Sequence, residues 1–361
     1  MKIILATGIY PPDIGGPATY TKALAQELTD MKHEVVVVTY GNCTLHIADP
    51  WPVLCISKNG GPLLRWWRYS KALRKHAADA DVVYAFSSVS AGIPLKFARL
   101  TQPKNILRLG GDFLWERYTD RGGTLGLREW YRTIGHLQFA ICHWVLRHFD
   151  HIVFSSAFQR DIYLDHYKDL PAYSVIENAL KGGGTVLHEK HDPFRLLVLG
   201  RLVRFKNLPP LLDAIQKLSH VTLTIAGSGP VESELRSQVK KLGIEDRVAF
   251  VGNRDGKEKQ QLFFEHDLIV LPSLTEISPN TALEARATGL PVLLTEETGL
   301  SISLQKGLII RKLRTSEEIT AAIKDAQKKY PEIAARAAEP STMRSWAQVA
   351  SEHEDLFRRI T

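Results

Sequence analysis

The chain alternates short, nearly continuous apolar runs with longer stretches in which apolar residues return at helical spacing. In the first half, apolar runs occupy residues 2–7, 34–40, 81–86, 105–110 and 151–156. Between the runs lie amphipathic stretches, and residues 19–32 and 128–149 are predicted to be helices. Apolar strands that are separated by helices are typical of a parallel sheet covered on both faces.

A glycine-rich stretch interrupts this pattern near the middle of the chain. Residues 177–193, "ENALKGGGTVLHEKHDP", contain three consecutive glycines and no periodicity, which is typical of a linker. Beyond it, strands are predicted at 194–200, 221–227, 247–252, 267–272, 290–295 and 307–312, followed by a final helix within 341–361. The sequence therefore predicts an α/β fold with two Rossmann-like, doubly wound parallel-sheet domains, 1–180 and 181–342. Ligands of such sheets bind beyond the carboxyl ends of the strands, so the predicted ligand site is a cleft that the two domains face.

Composition agrees with this prediction and restricts the class of protein. The 361 residues are 44% hydrophobic and 24% charged, and no apolar run is long enough to cross a membrane. The net charge of +7 suits nucleic acid, an anionic membrane surface or phosphorylated ligands, and does not choose among them. Cys43, Cys55 and Cys142 are odd in number and lack metal-ligand spacing, so reduced thiols in a cytoplasmic protein are expected.

The stretch 272–292, "PSLTEISPNTALEARATGLPV", contains the residues for a short helix placed just after a strand. Ser278 is a typical N-cap residue, Pro279 fits the first helical position, and Gly289 fits just beyond the end. A helix over 279–288 is therefore predicted, with its N-terminus at the ligand-binding edge of the sheet.

Polar groups around this helix start indicate a ligand that carries both phosphate and hydroxyl groups. The N–H groups of Asn280 and Thr281 are expected to be free, and such a helix end binds anions. Glu276 and Glu284 are placed to accept hydrogen bonds from sugar and ribose hydroxyls. The alternative interpretation is a pair of solvated surface glutamates, which the strand-end position makes less attractive.

A second segment, residues 198–207, places cations at the end of another strand. Gly200 is followed by Arg201, Arg204 and Lys206, and such cations can neutralise a diphosphate without a metal ion. A solvated basic loop explains the spacing equally well, so both interpretations stay open.

Three glycine-containing loops follow predicted strands. Gly15 and Gly16 precede a helix, and Gly227 and Gly229 lie in a comparable strand-to-helix loop, where they let a ligand approach the backbone. The loop "FVGNRDG", which contains Arg254, is placed to cover a nucleobase with its backbone. The G-x-G-x-x-G fingerprint is missing, and a tight turn is the alternative interpretation of the glycine pair.

Taken together, these motifs resemble the retaining B-type (GT-B) glycosyltransferases, specifically glycosyltransferase family 4. The resemblance runs through "YPPDIGGPATYTKAL", "GRLVRFKN", "IAGSGP", "FVGNRDGKE", "LPSLTEISPNTALEARATGLPV" and the final helix. It implies that Arg201 and Lys206 hold the donor diphosphate, that Glu276 contacts donor-sugar hydroxyls and that Glu284 contacts the ribose. Gly16 would approach the diphosphate from the first domain.

The chain departs from the family pattern at three places. Glu276 is followed by Ile277, Ser278 and Pro279, where the family usually has glycine, an aromatic residue and glycine or proline. "ENALKGG" replaces an asparagine-glycine-valine-aspartate run. The family's histidine after the fourth strand is absent, and Asp112 is the polar residue at that point.

The resemblance implies retaining transfer of a hexose from a UDP- or GDP-sugar to a hydroxyl acceptor, such as a glycolipid or polysaccharide precursor. It also implies that the last helix, 343–361, packs back on the first domain. No cofactor, metal ion or protein nucleophile is expected. Two alternatives remain: a nucleotide-sugar isomerase on a similar scaffold, and a sugar-nucleotide-binding protein without catalytic activity.

Residues 63–76, "LLRWWRYSKALRKH", interleave basic and aromatic side chains and leave two interpretations open. A basic amphipathic helix with tryptophans can lie on an anionic membrane, which would place the protein at the inner membrane face near a lipid-linked acceptor. Alternatively, Trp66 and Leu73 pack into the core and the bases are solvated. No nucleic-acid-binding module is recognised, so nucleic acid is not an expected partner.

Two further patterns mimic metal sites. Residues 79–81, "DAD", resemble an aspartate-rich motif but lie at a helix-to-strand boundary. His136, His143, His148 and His151 lack a tight ligand spacing, so we interpret them as packing or surface residues.

Overall fold

The structure, a computed structural model, describes residues 1–13, 15–41, 49–133, 136–179, 185–339 and 344–361. They form two compact units. Unit 1 consists of Met1–Leu114, Thr133–Ala179 and Arg344–Thr361, and unit 2 of Trp115–Arg132 and Leu180–Met343. The sequence predicted a domain boundary between residues 180 and 181. Residues 115–132 differ from that prediction, since they cluster with unit 2. The glycines of the predicted linker and residue 343 of the predicted last helix lie outside the described residues.

Unit 1 contains a seven-stranded parallel sheet. Its strands are β1 (Lys2–Ala6), β2 (Glu34–Tyr40), β3 (Val53–Ile56), β4 (Val82–Ala85), β5 (Lys104–Leu109), β6 (His151–Phe154) and β7 (Ala172–Val175). They lie in the order β3-β2-β1-β4-β5-β6-β7. The apolar pattern did not predict β3 and β7. Both are four-residue edge strands without a buried residue; β3 is a short apolar run, "VLCI", and β7, "AYSV", mixes apolar and polar residues.

Unit 2 contains a six-stranded parallel sheet whose strands were all predicted. They are β8 (Phe194–Leu199), β9 (Val221–Ala226), β10 (Val248–Gly252), β11 (Leu268–Leu271), β12 (Val292–Thr295) and β13 (Ile309–Arg311). Their order is β10-β9-β8-β11-β12-β13, so the winding direction reverses between β8 and β11. Leucines alternate between the two faces of β8: Leu196 packs in one apolar core and Leu197 in another. Burial on both faces explains why these strands are almost entirely apolar.

Helices cover the two sheets. They are α1 (Gly16–Asp30), α2 (Pro62–His76), α3 (Ile93–Ala98), α4 (Phe113–Asp120), α5 (Leu127–Thr133), α6 (His136–Leu146), α7 (Ala157–His166), α8 (Leu208–Gln216), α9 (Glu232–Leu242), α10 (Gly256–Glu265), α11 (Asn280–Ala287), α12 (Ile302–Gln305), α13 (Ser316–Lys328), α14 (Tyr330–Ala338) and α15 (Trp346–Ile360). A π-helical turn spans Ser88–Gly92 and a 3-10 turn spans Arg204–Lys206. Within the helix predicted over 128–149, the structure describes helical residues in α5 and α6, and residues 134–135 between them lie outside the described residues.

The last helix, α15, belongs to unit 1. A capping box between Ser345 and Gln348 starts the helix, and Val349 and Phe357 are fully buried in the same core as Leu5 of β1. Its one buried imidazole, that of His353, is hydrogen-bonded to the Tyr84 hydroxyl at 2.9 Å. The helix is therefore an integral part of the unit that begins with β1.

The cysteines differ from the sequence expectation. Cys55 is disulfide-bonded, whereas Cys142 is free, and burial raises the pKa of the Cys142 thiol to about 12. Cys43 lies outside the described residues. Among the described helices, none combines the length and the apolar character that a bilayer crossing requires.

Candidate functional site

The candidate site lies where the strand order of unit 2 reverses. The loop after β8 and the loop after β11 leave neighbouring parallel strands at the same edge of the sheet. Between them is a small cavity lined by Gly200, Arg201, Lys206, Pro272 and Ser273, among others. A reversal of this kind is where open α/β sheets bind their ligands, because the two loops diverge and leave a crevice.

The centre of the site is an ion pair between the two loops. Lys206 Nζ lies 2.6 Å from Glu276 Oε1, and the side chains are only 21% and 8% exposed. Ser273 Oγ donates to the same carboxylate oxygen at 2.5 Å. Among the described residues, Glu276 Oε2 accepts no hydrogen bond. One oxygen of the carboxylate is thus fixed by the protein, and the other is available to a ligand.

The backbone holds Glu276 rigidly. Its N–H donates to the Glu297 carbonyl at 2.9 Å, and its carbonyl accepts from Gly299 N–H at 2.7 Å. A parallel β-bridge between Glu276 and Thr298 results. The two site loops are also joined directly, because Leu274 N–H donates to the Phe205 carbonyl at 2.8 Å. A carboxylate held in this way keeps its direction when a ligand arrives.

Arg201 supplies the uncompensated charge of the site. It is exposed, and no carboxylate among the described residues pairs with it. Because Lys206 is neutralised by Glu276, the pair and Arg201 together carry one net positive charge. Such a site favours an anion with several acceptor oxygens, and a diphosphate is one.

The helix predicted after this loop is present, with one correction. The predicted span was 279–288, and α11 runs from Asn280 to Ala287. The N-cap is Pro279 and no side chain caps the helix, so the N-cap role expected for Ser278 is wrong. Its carbonyl, not its hydroxyl, interacts with the helix start, where it accepts from Asn280 N–H at 3.0 Å.

The amides at the start of α11 differ from one another. Asn280 N–H has an acceptor and is not free as expected, whereas no acceptor for Thr281 N–H lies among the described residues. Gly289 follows the helix with φ +85°, in agreement with its predicted place just past the end. The helix therefore offers the Thr281 amide and its dipole to an anion.

Glu284 lies inside α11 and has a cationic neighbour that the sequence did not predict. Lys259 of α10 places Nζ 2.5 Å from Glu284 Oε2, an ion pair that engages this buried oxygen. Nearby in the chain, Arg254 is exposed and lies 3.5 Å from Glu258. Because Lys259 engages Oε2, the oxygen of Glu284 that is left for a ligand hydroxyl is Oε1.

The glycines of the loops after β8 and β9 allow the two loops to pack against each other. A Cβ at Gly227 would lie 1.9 Å from the Gly200 carbonyl oxygen, and one at Gly229 would lie 2.2 Å from the Leu202 carbonyl oxygen. Leu202 N–H donates to the Ser228 carbonyl at 2.9 Å. These contacts explain Gly227 and Gly229 by backbone packing behind Arg201.

The remaining predicted site residues lie in unit 1. Gly15 precedes α1, where its carbonyl accepts from Ala18 N–H at 3.0 Å, and Gly16 is the exposed first residue of the helix. Asp112 is buried after β5, and Tyr163 of α7 donates its hydroxyl to Asp112 Oδ2 at 2.8 Å.

Several residues around the site were not found from the sequence. Ser273 and Lys259 contact the two glutamates, while Thr275 and Glu297 hold the loop that carries Glu276. The sequence contains a signal for Ser273, since this residue lies three positions before Glu276 in the same strand-end loop. The other contacts join distant parts of the chain and have no local pattern.

The two aspartates of the "DAD" motif have other partners. Asp79 accepts from the Lys2 ammonium at 2.7 Å, and Asp81 accepts from Lys2 N–H at 2.7 Å. In the part of the chain that the structure describes, no three His, Cys, Asp or Glu side chains are grouped to hold a metal ion. The side chain of His136 lies outside that part.

Comparison with known proteins gives matches across both halves of the chain. Residues 193–328 match the family model for glycosyl transferases group 1, and residues 15–179 match that for the glycosyl transferase 4-like domain. An uncharacterized glycosyltransferase of Methanocaldococcus jannaschii is 34% identical over 112 residues, which are 30% of this chain and 29% of that protein. The curated relatives are matched over less than half of their length.

Solved structures match over nearly the whole chain. Sucrose-phosphate synthase from Thermosynechococcus elongatus has a TM-score of 0.81 at 16% identity, with 99% of this chain and 98% of that chain covered. HepE of Anabaena, solved with UDP and glucose, has a TM-score of 0.75 at 19% identity, with 99% and 100% covered. Together with the two parallel sheets, these matches confirm the predicted GT-B fold, and the family models show that the chain belongs to the group 1 glycosyltransferases.

Proposed function

We propose that the protein is a retaining glycosyltransferase that moves a hexose from a UDP- or GDP-sugar to a hydroxyl acceptor. One observation carries the proposal: the Lys206–Glu276 pair beside Arg201, at the strand-order reversal of unit 2. It combines cations for a diphosphate with a carboxylate oxygen that is free to accept a hydroxyl. The crystallised complex of HepE with UDP and glucose supports a uridine donor in a protein of the same fold.

In the proposed reaction, the protein mainly stabilises charge. The bond between the anomeric carbon and the diphosphate oxygen breaks, and Arg201 and Lys206 stabilise the negative charge that grows on the leaving group. Glu276 Oε2 accepts a hydrogen bond from a donor-sugar hydroxyl and fixes the ring. The acceptor oxygen bonds to the anomeric carbon on the face that the diphosphate leaves, and its proton passes to a leaving phosphate oxygen.

Secondary contacts complete the donor site. The Thr281 amide at the start of α11 is placed to donate to a phosphate oxygen, and Glu284 to accept from the ribose hydroxyls. The backbone of the loop containing Arg254 would cover the base. Gly15, Gly16 and Asp112 of unit 1 remain proposed contacts to diphosphate and sugar.

No metal ion or organic cofactor is part of the proposal, because Arg201, Lys206 and the helix start supply positive charge to the diphosphate. Transfer is therefore expected to persist in EDTA, and a loss of activity that Mg²⁺ or Mn²⁺ restores would contradict this part of the proposal.

A donor panel tests the function. Thermal shift with UDP-glucose, UDP-galactose, UDP-N-acetylglucosamine and GDP-mannose should show stabilisation by at least one nucleotide sugar. Lys206→Ala should abolish this shift, because it removes a cation from the diphosphate and leaves Glu276 unpaired. Lys217→Ala is the matched control, since Lys217 is an exposed lysine of unit 2 that pairs with Glu317.

The same panel separates the alternatives. Donor-dependent release of free nucleoside diphosphate in the presence of a hydroxyl acceptor indicates transfer. Tight binding without turnover indicates a sugar-nucleotide-binding protein, and conversion of the donor without release of the nucleotide indicates an isomerase. A chain that no nucleotide stabilises would contradict all three.

We further propose that α2 contacts an anionic membrane surface. The core interpretation holds for one face, where Tyr69 and Leu73 are fully buried and Trp66 is half-buried. It does not hold for Trp67, which is 59% exposed, or Leu63, which is 77% exposed. Core packing leaves these two apolar side chains unexplained, and five basic residues flank them between 65 and 75.

The exposed apolar surface continues onto neighbouring elements. Arg74 donates to the Phe97 carbonyl at 2.6 Å, which ties α2 to the end of α3. Lys96 then lies 3.8 Å from the centre of the Trp144 ring, and Phe97 and Trp144 are both exposed. We name Leu63, Leu64, Trp67, Phe97 and Trp144, with their basic neighbours, the apolar-basic surface. A lipid-linked acceptor would be reached from such a surface, at the cytoplasmic face of a membrane.

A further inference from the structure

One segment of unit 2 is separated in the chain from the rest of that unit. We name residues 115–132 the docked segment. Its neighbours on both sides, Leu114 and Thr133, belong to unit 1, yet the segment clusters with unit 2. It contains most of α4 and α5, and its contacts fall beside the proposed catalytic residues.

The first contact is aromatic. Trp115 is 2% exposed, and its ring centre lies 5.3 Å from that of Phe205, the residue before Lys206. Trp115 Nε1 also donates to the Leu125 carbonyl at 3.0 Å, which fixes the ring within the docked segment. The loop that carries Lys206 is therefore packed against this segment.

The second contact is a hydrogen bond to the residue before Glu276. Leu127 N–H donates to Thr275 Oγ1 at 2.8 Å, and the Thr275 hydroxyl donates in turn to the Leu274 carbonyl at 2.9 Å. Thr275 is buried, so this amide and hydroxyl satisfy each other away from water.

The third contact acts through Glu297, whose carbonyl accepts the Glu276 N–H. Its carboxylate accepts Arg128 N–H at 3.1 Å and pairs with Arg314 at 3.0 Å. Gly126 lies against this carboxylate, where a Cβ would come within 2.2 Å of Oε2. The docked segment thus also holds the strand-like partner of Glu276.

We propose that the docked segment is a positioning element that sets the geometry of the Lys206–Glu276 pair, an inference that rests on the proposed function. It contacts the residue before each partner and the backbone partner of Glu276, and it need not touch the donor. The positioning residues are Trp115, Leu127 and Arg128. Thr275 links them to Glu276, because it accepts the hydrogen bond from Leu127 N–H and directly precedes Glu276.

The test removes one hydroxyl and restores it. Thr275→Val deletes the acceptor for Leu127 N–H at nearly constant shape, and Thr275→Ser keeps it. Thr320→Val is the matched control, because the Thr320 hydroxyl donates to the Ser316 carbonyl within α13. The state of the Lys206–Glu276 pair is measured by NMR of ¹³C-dimethylated lysine side chains. The Lys206 signal is assigned by its absence in Lys206→Arg. Glu276→Gln gives the signal of Lys206 without its carboxylate partner.

We expect the Lys206 signal in Thr275→Val to move toward the unpaired reference, and Thr275→Ser to return it. With UDP-glucose as the probe, kcat for UDP release should fall about tenfold while KM changes less than about threefold. A folded Thr275→Val protein with an unchanged Lys206 signal would overturn the inference. Failure of the wild type to bind any nucleotide sugar would instead overturn the proposed function, whatever the Lys206 signal shows.

Discussion

At the scale of single residues, the site contains glycines at positions where neighbouring backbone leaves no space for a side chain. Gly227 has φ +148°, and its position leaves no room for a side chain beside Gly200. The sequence suggested that Gly227 allows a ligand to approach this loop. In the structure, the loop after β8 fills the space beside Gly227. A glycine in a ligand-binding loop can therefore report packing and not contact with the ligand.

Gly227→Ala should lower the free energy of unfolding by about 3 kcal/mol, since it combines backbone strain with a steric clash. Chemical denaturation would measure this loss. Gly61→Ala is the control: no atom lies within 4 Å of its Cβ position and its φ is −70°, so the loss should stay below about 1 kcal/mol, as expected for glycine replaced by alanine at an N-cap. Equal stabilities of the two variants would contradict the packing explanation.

The sequence predicted Arg201, Lys206 and Glu276 as a group because each follows a buried strand, and parallel strands end at one edge of their sheet. It gave no information on which cation pairs with which carboxylate. It also missed Thr275 and Glu297, whose partners Leu127 and Arg128 lie 148 and 169 residues away in the chain. The N-cap expected at Ser278 failed for a local reason, because Pro279 itself occupies that position.

At the scale of elements, α15 and its histidine connect packing with pH. Burial, and the nearby Arg108 and Arg344, lower the pKa of His353 to about 3. Since its ring accepts the Tyr84 hydroxyl at Nε2, Nδ1 donates to the Val349 carbonyl at 2.7 Å. The neutral imidazole is therefore the form that the folded protein requires.

Stability should fall as the pH drops below about 6.5, because the unfolded chain then binds a proton at His353 that the folded protein excludes down to about pH 3. The loss from this residue is about 1.4 kcal/mol per pH unit. Denaturation of wild type and His353→Gln across this range would measure it, since the glutamine does not titrate. If the two proteins lose stability in parallel, His353 is not responsible.

Burial alone did not decide which strands were predictable. The edge strand β13 of unit 2 was predicted although it has no buried residue, while the edge strands β3, "VLCI", and β7, "AYSV", of unit 1 were not predicted. The helix predicted over 128–149 includes residues of both α5 and α6, which are apolar at helical spacing. Only tertiary contacts assign α5 to one unit and α6 to the other.

At the scale of the whole molecule, the net charge of +7 indicates a kind of partner only when the location of the basic residues is known. Part of it lies on α2, next to apolar side chains that the core does not bury. Anionic lipid satisfies both features, since it attracts the bases and accepts the apolar side chains.

The protein should therefore float with phosphatidylcholine vesicles that contain phosphatidylglycerol, and not with phosphatidylcholine alone. Binding should weaken as salt rises above about 0.1 M, where screening shortens to about 10 Å. Trp67→Ala should weaken it about tenfold. Phe264→Ala is the control, because Phe264 is an exposed aromatic residue of unit 2. Salt-independent binding, or none at low salt, would contradict the proposed surface.

The assignment of α15 to unit 1 has a consequence for synthesis of the chain. The core around β1 and α1 is complete only when residues 346–360 are present, so it must wait on the ribosome until nearly all of unit 2 has emerged. A chain released from the ribosome near residue 340 would thus lack only the core of unit 1, and its unfinished first unit would expose apolar residues to chaperones.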